Sequence, residues 1–565
     1  MRSAPILLVL VACAPGPSAG PVTAPAPAPA RYDLILEGGR IVDGTGSAWF
    51  WGDVAISGDR IARVAPRGVL AGAAATERLD VRGMVVAPGF IDIQGQSDYQ
   101  LTLGDGRLIS KVTQGITTEI MGEGSSPAPT NSKTNPTGPW APGLDFSGPR
   151  GFDAWLRAMQ AHGGSENFGS FLGAGTVRVY AKGETQGPAT PAELDSMRAV
   201  VRNAMMDGAF GIGSALIYPP GNYAGTGELI EIAKAMSPFG GVYITHMRSE
   251  GNTWLEAIDE AIRIGKEGGV PVEIYHFKAG GTRNWSKTPL AIAKIDSARA
   301  AGLDIQADMY AYTAGATGLS ACFPPWASAD GKLFENLANP EARRRIRTEM
   351  DRDTNEWENL CRLAGPEGVL LLYFEKPENA RFTGKRLSEA ASLMGKEWEE
   401  AAMDLVVSDH RRVETAFFLM SEENVRASLR QPWMKIGTDA DASDPDHPQG
   451  LTHPRAYGNY PRILGKYVRE EHVLTLEDAI RKMTSAVAAR LTIPDRGVLR
   501  PGFYADLVVF DPRTVADRAT FEQPHQLSVG IKYVVVNGTM VVKDGMHTGA
   551  KPGRIVRGPG WTGSR

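Results

Sequence analysis

The chain has 565 residues, 42% of them hydrophobic, and a net charge of −4 from 60 Lys and Arg against 64 Asp and Glu. That is enough to bury a sizeable core in one large barrel with appendages or in several domains. The near-neutral balance gives no electrostatic footing for a nucleic-acid partner, and three scattered cysteines exclude a disulfide scaffold and a CxxC-type zinc module.

Residues 1–30 read as a targeting segment outside the fold. Arg2 carries the only early side-chain charge, Pro5 to Ala12 is apolar, and Leu10-Val11-Ala12-Cys13 reads as a lipobox with Cys13 as the residue to be lipidated. The run is too short to span a bilayer as a stable helix. Ala14 to Ala30 is a Pro/Ala-rich tether without core-forming side chains. The expectation is an exported, periplasmic or membrane-anchored lipoprotein of bacterial type; simple cleavage of a signal peptide is the alternative.

Beyond the tether, residues 31–87 carry short β patterns, Leu34 to Ile41 and Asp53 to Val64, the latter broken at Gly58-Asp59. Residues 492–565 return to the same pattern in Asp506 to Phe510 and Ile531 to Val542, which turns at Asn537-Gly538, a strong hairpin signal. Two β-rich ends predict one small composite β-sandwich. Between them, residues 88–491 contain eight candidate buried strands, the first reaching back to Val85: Val85–Asp92, Gly115–Met121, Asn167–Leu172, Ala209–Ser214, Gly241–His246, Val270–His276, Asp304–Asp308 and Met434–Asp439. Helix starts fall between them. Thr190-Pro191-Ala192-Glu193 and Thr253-Trp254-Leu255-Glu256 are capping boxes, Thr288-Pro289 places proline at the first helical position, and Gly208 and Gly302 are helix stops. Strand–helix alternation repeated about eight times predicts an α/β fold of the (β/α)8 TIM-like barrel type. Residues 313–421 are too long for one connection and predict a helical insertion or lid.

Barrel chemistry sits at the C-terminal ends of the strands. Two of the nine histidines, His246 and His276, close strands five and six, and Asp439 closes strand eight in Gly437-Thr438-Asp439. Imidazoles on neighbouring strands can converge on one cation, and a carboxylate opposite can serve as general base for metal-bound water. His162, His410 and His472 read as surface residues.

Pro88-Gly89-Phe90-Ile91-Asp92, Gly115-Ile116-Thr117-Thr118, Tyr243 to Arg248, His276-Phe277-Lys278 and Gly437-Thr438-Asp439 occur in that order. Tyr218-Pro219-Pro220-Gly221, His453-Pro454-Arg455 and the tail from Asp495-Arg496-Gly497 to Val536-Asn537-Gly538 extend the pattern. Together they resemble the amidohydrolase superfamily, and within it the D-aminoacylase, or N-acyl-D-amino-acid deacylase, family, over about Arg31 to Arg557. The resemblance implies a zinc-dependent hydrolase of the amide bond of N-acyl-D-amino acids. His246 and His276 match its zinc-binding histidines, Asp439 its general base and acid, and Lys278 and Arg455 residues that grip the substrate carboxylate. Tyr218 or Tyr310 is a candidate donor to the carbonyl oxygen as it becomes negative.

Two departures set this chain apart. Gln94-Gly95-Gln96 stands where the superfamily has His-x-His; glutamine is a poor zinc ligand, so one zinc per chain is expected. Glu123 falls where the D-aminoacylase branch has a cysteine ligand, giving a Glu123-His246-His276 site. Neither Cys322 nor Cys361 lies at a strand end, which leaves Cys13 as the cysteine with an assigned role. Three readings stay open: the deacylase, another amidohydrolase acting on D-residue dipeptides or cyclic amides, and a non-catalytic lipid-anchored relative.

Overall fold

Strands buried at every position need cover on both faces, and the central strands of this chain are of that kind: Ile116–Met121 and Val242–His246 expose no residue. The computed structural model describes residues 31–135 and 142–563; the expected targeting segment and Cys13 lie outside the described residues. Phe90–Asp92, Ile116–Met121 and Asn167–Ser170 pair in parallel as one arc. Leu172–Gly173, Gly211–Ala215, Val242–His246, Val272–Ile274, Ile305–Met309 and Met434–Ile436 pair in parallel as a second. The third strand belongs to both arcs, because the Phe171 N–H between its two halves donates to Met121 O at 2.8 Å. At the opposite seam Gly95 bridges Ala440 in parallel, and the Asp439 N–H donates to Gln94 O at 2.8 Å. The eight strands thus ring one centre as a (β/α)8 barrel.

The helices behind the strands start as local chemistry directs. The Thr190 hydroxyl accepts the Glu193 N–H at 3.3 Å and Glu193 Oε2 accepts the Thr190 N–H at 2.7 Å, completing the expected capping box of Pro191–Met206. Thr253 does not cap Trp254–Gly268. Its backbone is not in the extended conformation a cap requires, and burial of Trp254 against Phe277, rings 4.9 Å apart, positions the helix start instead.

Both ends of the chain build one nine-stranded sheet. Tyr32–Ile41 pairs with Phe50–Ser57, Ala75–Asp80 and Val85–Pro88, and Val85–Pro88 pairs antiparallel with Leu507–Phe510 of the C-terminal part. The hairpin between Ile531–Val536 and Thr539–Lys543 turns at Asn537 and Gly538, both at positive φ, as the Asn-Gly signal requires. The first expected barrel strand is therefore two strands. Gly89 divides Val85–Asp92 into Val85–Pro88, which closes the terminal sheet, and Phe90–Asp92, which opens the barrel.

The insertion between the seventh and eighth strands is not purely helical. Gly315–Gly318, Glu414–Phe417 and Val369–Tyr373 form an antiparallel sheet in that order, flanked by helices such as Pro340–Asp351 and Trp398–Asp409. It has an apolar core of its own, including Ile346, Met350, Leu371, Leu405 and Phe417. Cys322 and Cys361 are joined there in a disulfide, with Cα atoms 5.2 Å apart. A structural role thus falls to two cysteines that the sequence had left without one.

Candidate metal centre

Glu123, His276 and Asp439 are set by breaks just past strand ends, whereas His246 is the last residue of its strand. Gly122, directly after the second strand, has φ +100°, and a Cβ there would collide with the carbonyl oxygen of Phe171. Only glycine lets the chain turn inward and carry Glu123 over the barrel mouth. His276 and Asp439 also sit at positive φ, +35° and +52°, conformations rarely held by side-chain-bearing residues and stabilised by surrounding contacts. The His276 N–H donates to Asp308 Oδ1 at 2.9 Å. Below Asp439, Asp92 accepts the Thr438 and Gln94 N–H groups at 2.9 and 3.1 Å, while fully buried Lys111 neutralises Asp92 and Glu119 at 2.8 and 3.0 Å. This buried ion cluster ties the first, second and eighth strands together beneath the site.

At the mouth, Glu123 Oε1 lies 3.1 Å from His276 Nε2 and 3.3 Å from His246 Nδ1, and the two imidazole centres are 4.4 Å apart. One ligand atom from each of the three residues falls within 4.8 Å of the others. Two imidazoles and a carboxylate form a donor set suited to zinc, with room for a water or substrate atom as fourth ligand. The residues brought together are those expected from the sequence.

His276 Nδ1 lies 2.9 Å from Glu250 Oε1. A histidine that donates one ring N–H to a carboxylate presents its other nitrogen as a ligand, and the outer carboxylate raises its basicity. Glu250 is also 2.6 Å from Lys278 Nζ and 3.7 Å from His246 Nε2. Burial opposes its charge, but Lys278 and the two histidines outweigh burial and hold its carboxyl well below the usual range. Glu250 was missed in the sequence because it follows strand five and acts on a histidine of strand six, a pairing no spacing signals. Its loop is anchored by the insertion: Glu358 Oε2 accepts the Glu250 and Gly251 N–H groups at 2.8 Å each and the Ser249 hydroxyl at 2.6 Å.

Asp439 faces the triad from the eighth strand. Burial pushes its carboxyl up to about 6 against the opposing pull of Arg455, whose Nη1 is 2.7 Å from Asp439 Oδ2. The Arg455 guanidinium stands 4.4 Å from the Tyr310 ring centre. Tyr310 Oη and Arg455 Nε are buried and have no hydrogen-bond partner among the described residues. Lys278, expected to hold substrate, is already engaged by the Glu250 carboxylate and the His276 main-chain carbonyl, to which its Nζ donates at 2.7 and 3.1 Å. Tyr218 presents its ring edge-on to His246 at 5.2 Å, and burial raises its hydroxyl pKa, so it remains a neutral donor. All these groups line one cleft of about 1590 Å³, walled on one side by the insertion through Tyr373 and Arg412. His162, His410 and His472 are exposed, as expected.

Gln94 and Gln96 point at the same centre. Gln94 Nε2 donates to Glu123 Oε2 at 2.6 Å, and Gln96 Nε2 donates to Asp439 Oδ1 at 2.7 Å.

Comparison with known proteins identifies the family. A profile of the amidohydrolase family matches residues 168–542. The D-aminoacylase of Alcaligenes xylosoxydans xylosoxydans is 36% identical over 530 residues, 93% of this chain and 97% of that protein. A solved D-aminoacylase with a binuclear metal centre, described by one-metal activation and second-metal attenuation, superposes with a TM-score of 0.76 at 34% identity, covering 93% of this chain and 100% of the other. The N-acyl-D-glutamate deacylase of Bordetella bronchiseptica, solved with zinc and a phosphonate mimic of the tetrahedral intermediate, gives the same TM-score at 29% identity and the same coverage of both chains. The chain belongs to the amidohydrolase family, in its D-aminoacylase branch.

Proposed function

We propose that this chain hydrolyses the amide bond of N-acyl-D-amino acids, releasing a carboxylate and the free D-amino acid, with one zinc held by Glu123, His246 and His276. The observation that carries the reading is the convergence, in one cleft, of that ligand triad, a carboxylate of raised pKa and buried donors without hydrogen-bond partners among the described residues. Bound zinc supplies polarisation of the scissile carbonyl and acidification of its water. Asp439 takes the proton of the attacking water on its carboxylate and returns it to the leaving amine. Arg455 and the Tyr310 hydroxyl receive the substrate carboxylate, a charge-assisted pairing that disfavours substrates lacking an anion. Lys278 adds positive charge from its place beside Glu250. Tyr218, beside His246, donates to the carbonyl oxygen as it becomes negative.

The test is a panel of N-acetyl-D- and N-acetyl-L-amino acids, dipeptides ending in a D-residue, and cyclic amides, each with zinc supplied. Hydrolysis confined to the N-acyl-D compounds is expected. Asp439→Asn should keep its zinc and lose about 10²–10⁴-fold in turnover. Preferred cleavage of dipeptides or cyclic amides would replace the substrate assignment, and no hydrolysis at all would favour a non-catalytic relative.

We further propose export, with Cys13 as a lipid attachment point. The Cys322–Cys361 bridge supports an oxidising compartment. Expression in a bacterial host with a labelled fatty acid tests this: label retained by the wild type and lost on Cys13→Ala is the expected result, and an unlabelled wild type refutes lipidation.

A further inference from the structure

The Glu123 carboxylate has two oxygens with different partners. Oε1 faces the histidines, at 3.1 and 3.3 Å. Oε2 accepts two side-chain amides, Gln94 Nε2 at 2.6 Å and Gln96 Nε2 at 3.3 Å. Gln96 Nε2 also reaches Asp439 Oδ1 at 2.7 Å. The Gln94 main chain is fixed on both sides: its N–H donates to Asp92 Oδ1 at 3.1 Å and its carbonyl accepts the Asp439 N–H at 2.8 Å. Its side chain is 1% exposed, and the absence of a side chain at Gly437 leaves room for it, since a Cβ there would stand 2.9 Å from Gln94 Cβ.

We infer that Gln94 and Gln96 form an amide clamp that makes Glu123 a one-oxygen ligand, orients Asp439, and closes the site to a second metal ion. The inference rests on the reading of Glu123, His246 and His276 as a metal site. An amide NH2 is a donor only, so both glutamines present hydrogens to the Glu123–Asp439 side of the centre. A second divalent cation placed between those carboxylates would meet these N–H dipoles instead of lone pairs. The same hydrogens satisfy the second oxygen of Glu123, a partly buried anionic acceptor. Gln94 and Gln96 are positioning residues: they act through Glu123 and Asp439. Gln96 donates to both Glu123 and Asp439, and so links the ligand carboxylate to the base through one neutral side chain.

The test uses the full chain stripped of metal, zinc titrated against a chromophoric chelator, and metal content counted by elemental analysis. Wild type should take one zinc per chain. Gln94→Leu and Gln96→Leu should each still take one but bind it about 10–100-fold more weakly, the usual effect of losing an outer-shell partner. Gln94→Leu should melt lower without zinc, because Glu123 loses its 2.6 Å donor. Gln96→Leu should melt near wild type without zinc, while its rise on adding zinc shrinks, a change that a purely structural role would not produce. The double variant Gln94→His/Gln96→His should take a second zinc. Wild-type affinity in both leucine variants, or two zinc ions in the wild type, overturns the clamp. If Gln94→Leu fails to fold, Gln96→Leu, on an exposed residue, carries the affinity test alone. A wild type that takes no zinc, with no change on His246→Ala/His276→Ala, overturns instead the metal-site reading beneath it, and the two failures are thereby distinguishable.

Discussion

Glu250 offers a sharp test of how the outer residues hold the centre. It is 3% exposed, with one oxygen 2.9 Å from His276 Nδ1 and the other 2.6 Å from Lys278 Nζ. Replacement by alanine or by glutamine leaves Lys278 without its counter-ion, which in a buried pair costs about 3–5 kcal/mol of stability, but alanine would also open a cavity beside His276 and remove both acceptor oxygens. Glu250→Gln keeps the shape and one acceptor oxygen but removes the charge. Loss of a hydrogen bond to a charged partner is worth roughly 1.5–3 kcal/mol, and with a factor of ten for every 1.4 kcal/mol this becomes about a 10–100-fold rise in the zinc dissociation constant. That agrees with the range for outer-shell substitutions around metal-bound histidines. The assay is zinc titration of the metal-free variant, with thermal melts in the absence of zinc to measure what the Lys278 pair contributes to folding. A lowered melting temperature with an unchanged zinc dissociation constant would refute the reasoning, leaving Glu250 as a salt-bridge partner of Lys278 only.

Three further outcomes are expected. Arg455 lowers the pKa of Asp439, so Arg455→Met should raise it; the base is ionised above its pKa, and the acid limb of kcat/KM should move to higher pH than in the wild type. An unmoved limb would show that the titrating group is not Asp439 under the influence of Arg455. Gly122→Ala must accept both a positive φ and a collision with the Phe171 carbonyl, and should lose about 1–3 kcal/mol of stability together with zinc binding; denaturant unfolding and zinc titration check this, and near-wild-type values for both would refute it. Cys322 and Cys361 are 39 residues apart, so replacing both with alanine removes a loop constraint worth about 4 kcal/mol in the chain-entropy model; no loss of stability on denaturant unfolding would show that the insertion core holds without the bridge.

Much of the barrel and half of the site were legible in the amino-acid sequence. Strand patterns, glycine stops and the Asn537-Gly538 hairpin express local backbone preferences, which short stretches of chain carry by themselves. His246, His276 and Asp439 were recognisable because the barrel puts its chemistry at strand ends, where a polar residue closing an apolar run stands out. Glu123 could be placed only by its resemblance to a ligand position, and the structure supplies the reason it reaches the centre: the turn at Gly122.

Tertiary structure decided what depends on partners distant in the chain. The division of Val85–Asp92 between two sheets follows from the arrival of Leu507–Phe510 beside its first half. The insertion is mixed because its strands, nearly a hundred residues apart, find each other only when folded. Glu250 meets His276, Lys111 meets Asp92, and Cys322 meets Cys361 across intervals with no periodicity to read. Gln94 and Gln96 show the difference most plainly. As residue types they mark the absence of two metal ligands; their hydrogen bonds to Glu123 and Asp439, made across the barrel mouth, are set by the closure of the first strand on the eighth.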